Sequence, residues 1–139
     1  MYEPIRTKSV HTMAVAPGIP HRSRDEELAI RLAGQLTALL TVTDELHALT
    51  ECAAERTALA SAADRITAEV TRLSGHGPLR AEPTGTGDRG RIPALRQRAR
   101  TLAGNALAVA TSRDDTAAIA LAEELLATHD PNGQDLATA

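Results

Sequence analysis

The chain almost lacks aromatic residues: its 139 residues include no Phe, no Trp and a single Tyr, Tyr2. A hydrophobic core must therefore be built from aliphatic side chains, chiefly Leu, Ile, Val and the abundant Ala. Ala lets helices approach closely, although each contact then buries little apolar area. The composition also disfavours a binder of single-stranded nucleic acid, because such proteins stack bases on aromatic rings.

Cysteine and long apolar runs are nearly absent too. Cys52 is alone, so the chain can form no internal disulfide, and a cytoplasmic location is expected. Cys52 has no basic neighbour before Arg56 that would favour a reactive thiolate. It is therefore interpreted as a small core residue and not as a nucleophile. No apolar run approaches the ~20 residues that span a bilayer, so no membrane association is expected. The net charge of −3 favours neither nucleic acid nor an anionic membrane as a partner.

Residues 24–74 carry the strongest structural signal. Ser23 and Glu26 have the spacing of a capping box, and neither Gly nor Pro occurs between Gly34 and Gly75. Apolar residues recur at steps of three and four, as on an amphipathic helix; they include Leu28, Leu32, Leu36, Leu39, Val42, Leu46 and Leu49. One unbroken helix would extend ~77 Å. The stretch must therefore bend, or pair with an equally long partner.

The apolar spacing indicates where this stretch could bend. One seven-residue spacing contains Leu32, Leu39 and Leu46, and a second, offset by one position, contains Leu59, Ile66 and Leu73. The change between them falls at about residues 50–57. Thr43, a weak N-cap, offers a second break point. Since neither place has Gly or Pro, a continuous or kinked helix and a fully broken one agree equally well with the sequence.

The second half of the chain predicts two shorter helices. Residues 75–91 contain five of the nine Gly and form a loop. Pro93 suits the first turn of a helix over 92–111. Ser112 repeats the capping-box spacing and predicts a last helix over 114–128.

We therefore predict an all-α fold, a helical bundle or antiparallel coiled coil built on residues 24–74, which form either one continuous helix or a stretch that is kinked or broken near 43–57. The single helical domain covers 23–129. Residues 1–22 are interpreted as a flexible arm and residues 130–139 as a flexible tail.

Four polar residues share one face of the predicted long helix: Asp44, His47, Glu51 and Glu55. They lie within about 80° of one another around the helix axis. Asp-x-x-His with a further carboxylate has the form of half of a carboxylate-bridged metal site in a helical bundle. The rest of the sequence supplies no matching half, so we predict no metal and no cofactor. The face is interpreted as a solvated surface or a docking surface for a partner.

Charge is ordered along the second half of the chain. Residues 89–113 contain six Arg and no acid, and residues 114–139 contain six acids and no base. Three of the arginines, Arg96, Arg98 and Arg100, lie on the helix over 92–111, where Arg96 and Arg98 flank the apolar seam as coiled-coil charges do. We expect this helix to pair with acidic helices. A track for nucleic-acid phosphates is the alternative.

No arrangement of Ser, His and Cys builds a catalytic triad, and His129, at a helix end, has no ligand spacing; we expect no enzyme. The leading hypothesis is a non-catalytic helical protein–protein interaction or scaffold protein that self-associates as a homodimer, or binds another helical protein. The alternative is a small nucleic-acid-binding accessory protein or transcriptional regulator that uses residues 89–100. The candidate interaction surface comprises Asp44, His47, Glu51, Glu55, Arg96, Arg98 and Arg100.

Overall fold

The computed structural model describes residues 23–83 and 87–131 as a set of packed helices. The elements are α1 (Arg24–Leu49), α2 (Ala53–Ser74), a short 3-10 helix (Arg89–Arg91), α3 (Ile92–Ser112) and α4 (Thr116–His129). Helix accounts for 82% of the structure, and the described residues contain no strand. The predicted all-α bundle is therefore confirmed. The predicted arm, 1–22, and residues 132–139 of the predicted tail lie outside the described residues.

The predicted long helix is broken in the turn 50–52. The N–H and the hydroxyl of Thr50 both donate to the carbonyl oxygen of Leu46, at 2.9 and 2.7 Å, and Thr50 itself is extended. Cys52, also extended, is the N-cap residue of α2. Because the two apolar seams are offset by one position, a chain reversal between them lets both seams face one core. The break therefore lies inside the predicted window, at the change of spacing.

Two predictions about this region are wrong. Thr43 does not start a helix: its side chain is buried inside α1, and its hydroxyl donates to the carbonyl oxygen of Leu39 at 2.8 Å. Cys52 is exposed and is not a core residue. The reversal of the chain places Cys52 in the turn, outside the buried faces of both helices.

Each helix runs antiparallel to its neighbours. α1 packs against α2 and α3, α3 packs against α4, and the contact between α2 and α4 is sparse. The relative directions follow from two ion pairs in each of two helix pairs. Asp25–Arg113 and Glu45–Arg91 join α1 to α3. Arg65–Glu124 and Arg72–Asp115 join α2 to α4. Antiparallel neighbours are expected where short connections join consecutive helices.

The core contains residues from all four helices. α1 contributes its largest side chains, since Leu32, Leu36, Leu39 and Leu46 are almost completely buried. α3 contributes small ones: its fully buried positions recur at three- and four-residue steps and are all Ala, namely Ala99, Ala103, Ala106 and Ala110. Large side chains on one helix and small ones on the next allow close packing without aromatic residues.

The junction between α3 and α4 differs from its prediction, which made Ser112 the cap of the last helix. α3 continues through Ser112, whose hydroxyl donates to the carbonyl oxygen of Ala108 at 3.1 Å, so Ser112 is not in the extended conformation of an N-cap. Asp114 then takes a left-handed φ of 54°, and Asp115 is the N-cap, accepting from the N–H of Ala118 at 3.1 Å. The last helix therefore begins at Thr116.

Asp115 also joins three elements of the bundle. Its carboxylate accepts from Arg72 of α2 at 2.8 Å and from Arg113 of the α3–α4 junction at 3.1 Å. Burial opposes the charge of this carboxylate. The hydrogen bonds from Arg72 and the Ala118 N–H, with the two positive charges, outweigh burial and lower the pKa of Asp115.

Candidate functional site

The polar face predicted over residues 44–55 does not form, because α1 ends at Leu49. Asp44 is half-buried on α1 and accepts from Arg80 Nη2 at 2.6 Å. Glu51 lies in the turn and pairs with Arg89 at 2.8 Å, while Glu55 lies on α2. Within residues 23–83 and 87–131 no group of three or more side chains is arranged to hold a metal ion. Of the predicted four, His47 and Glu51 line a common shallow depression, whereas Asp44 and Glu55 line two other grooves of the described structure.

The arginines around α3 find partners that charge order alone did not indicate. Three of them pair with acids of α1 and the following turn: Arg89 with Glu51, Arg91 with Glu45, and Arg113 with Asp25. In the acidic stretch, Glu124 pairs with Arg65 of α2, and Asp115 pairs with both Arg72 of α2 and Arg113. The basic and acidic stretches are therefore adjacent in space without being each other's main ion-pair partners.

The remaining α3 arginines are arranged around the end of α4. Arg96 Nη1 donates to Nδ1 of His129 at 3.1 Å, and Arg100 Nη1 donates to the backbone oxygen of His129 at 2.8 Å. Arg98 is exposed and forms no ion pair with any residue of the described ranges. The three predicted residues therefore separate into two that hold the end of α4 and one on the surface.

His129 was given no role by sequence, yet it is among the most buried side chains, at 1% exposure. Burial, together with the positive charges of Arg96 and Arg100, lowers the pKa of His129 to about 4. The ring is therefore neutral at pH 7, and because Nδ1 accepts from Arg96, its proton is on Nε2. One signal could have indicated the burial: His129 continues the three- and four-residue spacing of Ala118, Ala122 and Leu125.

His129 lies at one end of a groove between α2 and α4. The groove has a volume of about 350 Å³. Leu59 and Leu125 are its buried apolar residues. From α2 its lining consists of Glu55, Ala58, Leu59, Ser61, Ala62 and Arg65. From α3 and α4 it consists of Arg96, Glu124, Leu125, Thr128 and His129. The groove exists because α4 has 14 residues against 22 in α2, and because α2 and α4 touch at few places.

One ion pair crosses the groove. Arg65 Nη1 and Nη2 donate to the two carboxylate oxygens of Glu124, each at 2.7 Å. These hydrogen bonds lower the pKa of Glu124, which is exposed. A guanidinium has five N–H donors, and this pair uses two of them. Arg65 therefore keeps donors for a second carboxylate.

The chain matches no family model, no curated protein and no solved structure. In residues 23–83 and 87–131, no helix combines the length and the apolar character that a membrane span requires. The interpretation of the groove therefore depends on its own chemistry. It offers small and apolar side chains flanked by charges of both signs, the type of surface on which an amphipathic helix docks.

Proposed function

We propose that this chain is a non-catalytic helical interaction protein that associates with a second copy of itself. The observation that carries the proposal is the groove between α2 and α4. On the other three sides of the bundle the helices pack closely, and on this side the contact is sparse. A further helix laid against this side would cover small and apolar side chains that the chain itself leaves uncovered.

The turn at 50–52 removes the over-long helix that the sequence predicts as the reason for self-association, because α2 folds back and buries its apolar seam against α1. What remains is local. Ala54 and Ala58 are exposed in the first turns of α2, beside a groove that contains charges of both signs. An interface between identical copies needs such a self-complementary surface.

Light scattering on a size-exclusion column tests this proposal. For the full chain at micromolar concentration we expect twice the monomer mass of 14.6 kDa. The dimer should dissociate on dilution, which gives its dissociation constant. A mass that stays at one chain over the whole accessible concentration range would contradict self-association.

The alternative, a nucleic-acid-binding regulator that uses residues 89–100, finds less support in the side-chain arrangement. Arg89 and Arg91 are paired with carboxylates, and Arg96 and Arg100 are directed to His129. Binding to phosphates would require these contacts to be exchanged.

We therefore expect negligible affinity for labelled duplex or single-stranded DNA at about 150 mM salt, measured by fluorescence anisotropy. Micromolar binding, with log affinity falling linearly as log salt rises, would reverse the choice between the two functions. Arg98→Glu is the matched variant, because Arg98 is the exposed α3 arginine. In that reversed case it should weaken binding while leaving thermal unfolding unchanged.

A further inference from the structure

The α2 side of the groove has an internal symmetry in its residue numbers. The six α2 residues that line the groove form three pairs equidistant from position 60: Glu55 with Arg65, Ala58 with Ala62, and Leu59 with Ser61. If two copies of α2 pack antiparallel about a two-fold axis at the level of position 60, Glu55 faces Arg65 of the partner subunit and Ala58 faces Ala62 of the partner subunit. Leu59, which is buried in its own bundle, and Ser61 lie on opposite flanks of this contact. The face can therefore meet a second copy of itself.

We propose that two copies of the chain associate through this face, each α2 lying antiparallel to the other in the α2–α4 groove, with Glu55 opposite Arg65 of the partner subunit. The proposal rests on the self-association proposed above and names its surface and orientation. Because a two-fold interface repeats every contact, the same ion pair forms twice, once at each end of the contact.

The charges of the face favour this orientation. Glu55 is exposed and has no ion-pair partner within the described ranges. Arg65 is 44% exposed and has donors left beyond its bond to Glu124. An antiparallel arrangement places the free carboxylate of one copy beside the guanidinium of the other. A parallel arrangement would place Glu55 opposite Glu55 and Arg65 opposite Arg65, and juxtaposed like charges oppose association.

The small residues of the face permit the close approach that the pairs need. Ala58, Ser61 and Ala62 lie at the centre of the face, and their side chains are short, ending at Cβ in Ala and at Oγ in Ser. Helix axes separated by small side chains come within about 8 Å of each other, the lower end of the usual range. Glu55 and Arg65 then lie at the two ends of the contact, ~15 Å apart along one helix. The ion pairs flank the close contact and define its register.

The groove that contains Ile30 does not have this property. Ile30, which is 54% exposed, lies in a second groove between α1 and α2 with Leu73, Glu26 and His76. That lining contains a carboxylate and no Arg or Lys, so it has no charge pair to exchange with a copy of itself. Charge complementarity therefore favours the α2–α4 groove over the groove that contains Ile30.

Reversing the charge of Glu55 or Arg65 alone, and then of both together, tests the proposal on the full chain. Glu55→Arg and Arg65→Glu, made separately, each bring like charges together twice in the dimer. Each should raise the dissociation constant by at least about tenfold, measured by sedimentation equilibrium. The double variant, Glu55→Arg with Arg65→Glu, restores opposite charges between the subunits and should therefore dimerise more tightly than Arg65→Glu alone, since both variants lack the intrachain Arg65–Glu124 pair.

Two matched controls accompany these variants. Arg56→Glu reverses a charge on α2 outside this groove, and Glu123→Arg does so on α4. Both should dimerise as the wild type does. Circular dichroism of every variant checks that the helices are intact, so that a loss of dimer is not a loss of fold.

Each outcome has a separate meaning. A wild type that is monomeric contradicts the proposed function itself. A wild-type dimer that neither reversal weakens keeps self-association and rejects this surface. Weakening by both reversals without restoration in the double variant rejects the Glu55–Arg65 pairing.

Discussion

Acidification from pH 7.5 to pH 5 is expected to lower the free energy of unfolding by about 2 kcal/mol through His129 alone. The pKa of His129 is about 4 in the folded chain, against 6.5 for an unperturbed imidazole. Between these values the unfolded chain binds a proton that the folded chain does not, so acid favours unfolding. The stabilisation is fully present above pH 6.5 and is lost as the pH falls towards 4. The total loss of unfolding free energy over this range is about 3 kcal/mol.

Urea denaturation at several pH values, at one protein concentration, measures this effect. His129→Gln removes the titrating group and keeps an oxygen that can accept from Arg96. The variant should be less stable at pH 7.5 and should lose much less stability than the wild type between pH 7.5 and pH 5. His76→Gln, at an exposed histidine of the loop after α2, is the matched control and should behave as the wild type. An equal acid loss in His129→Gln and the wild type would contradict the burial of His129.

Truncation of Leu39 is expected to be at least as costly. Leu39 is fully buried on α1 and belongs to the core that all four helices share. Leu39→Ala should lower the free energy of unfolding by about 3 kcal/mol, within the usual range of 2–5 for buried leucines. The expected value lies well inside this range because α3 lines the core with Ala. An Ala side chain has no rotamers, so it cannot turn into the cavity that the substitution leaves.

Chemical denaturation measures the effect of Leu39→Ala, with an unchanged dependence on denaturant concentration as the sign of an intact fold. Ile30→Ala is the matched control, since it also removes an aliphatic side chain from α1 but at a position that is 54% exposed. It should cost less than about 1 kcal/mol. Similar losses for the two variants would mean that α1 does not direct the Leu39 face into the core.

Much of the helical architecture could be predicted from local sequence. The capping box at the start of α1 forms as expected: the Ser23 N–H donates to Glu26 at 2.8 Å, and the Glu26 N–H donates to Ser23 at 3.1 Å. Five of the six apolar positions of the two spacings are buried, namely Leu32, Leu39, Leu46, Leu59 and Ile66, and the sixth, Leu73, is half-buried. These features depend on residues three or four positions apart, which a helix brings together regardless of the rest of the chain.

The tertiary structure decided which of several locally acceptable arrangements the chain adopts. No Gly or Pro indicates the turn at 50–52, which follows from the gain in burial when α2 folds back on α1. The ion-pair partners of Arg65 and Arg113 are separated from them by 59 and 88 positions, so only helix packing brings them together. The burial of His129 likewise depends on α3, which contributes Arg96 and Arg100. Local sequence determined the helices and their apolar faces, and packing between distant helices determined the turn, the ion pairs and the groove.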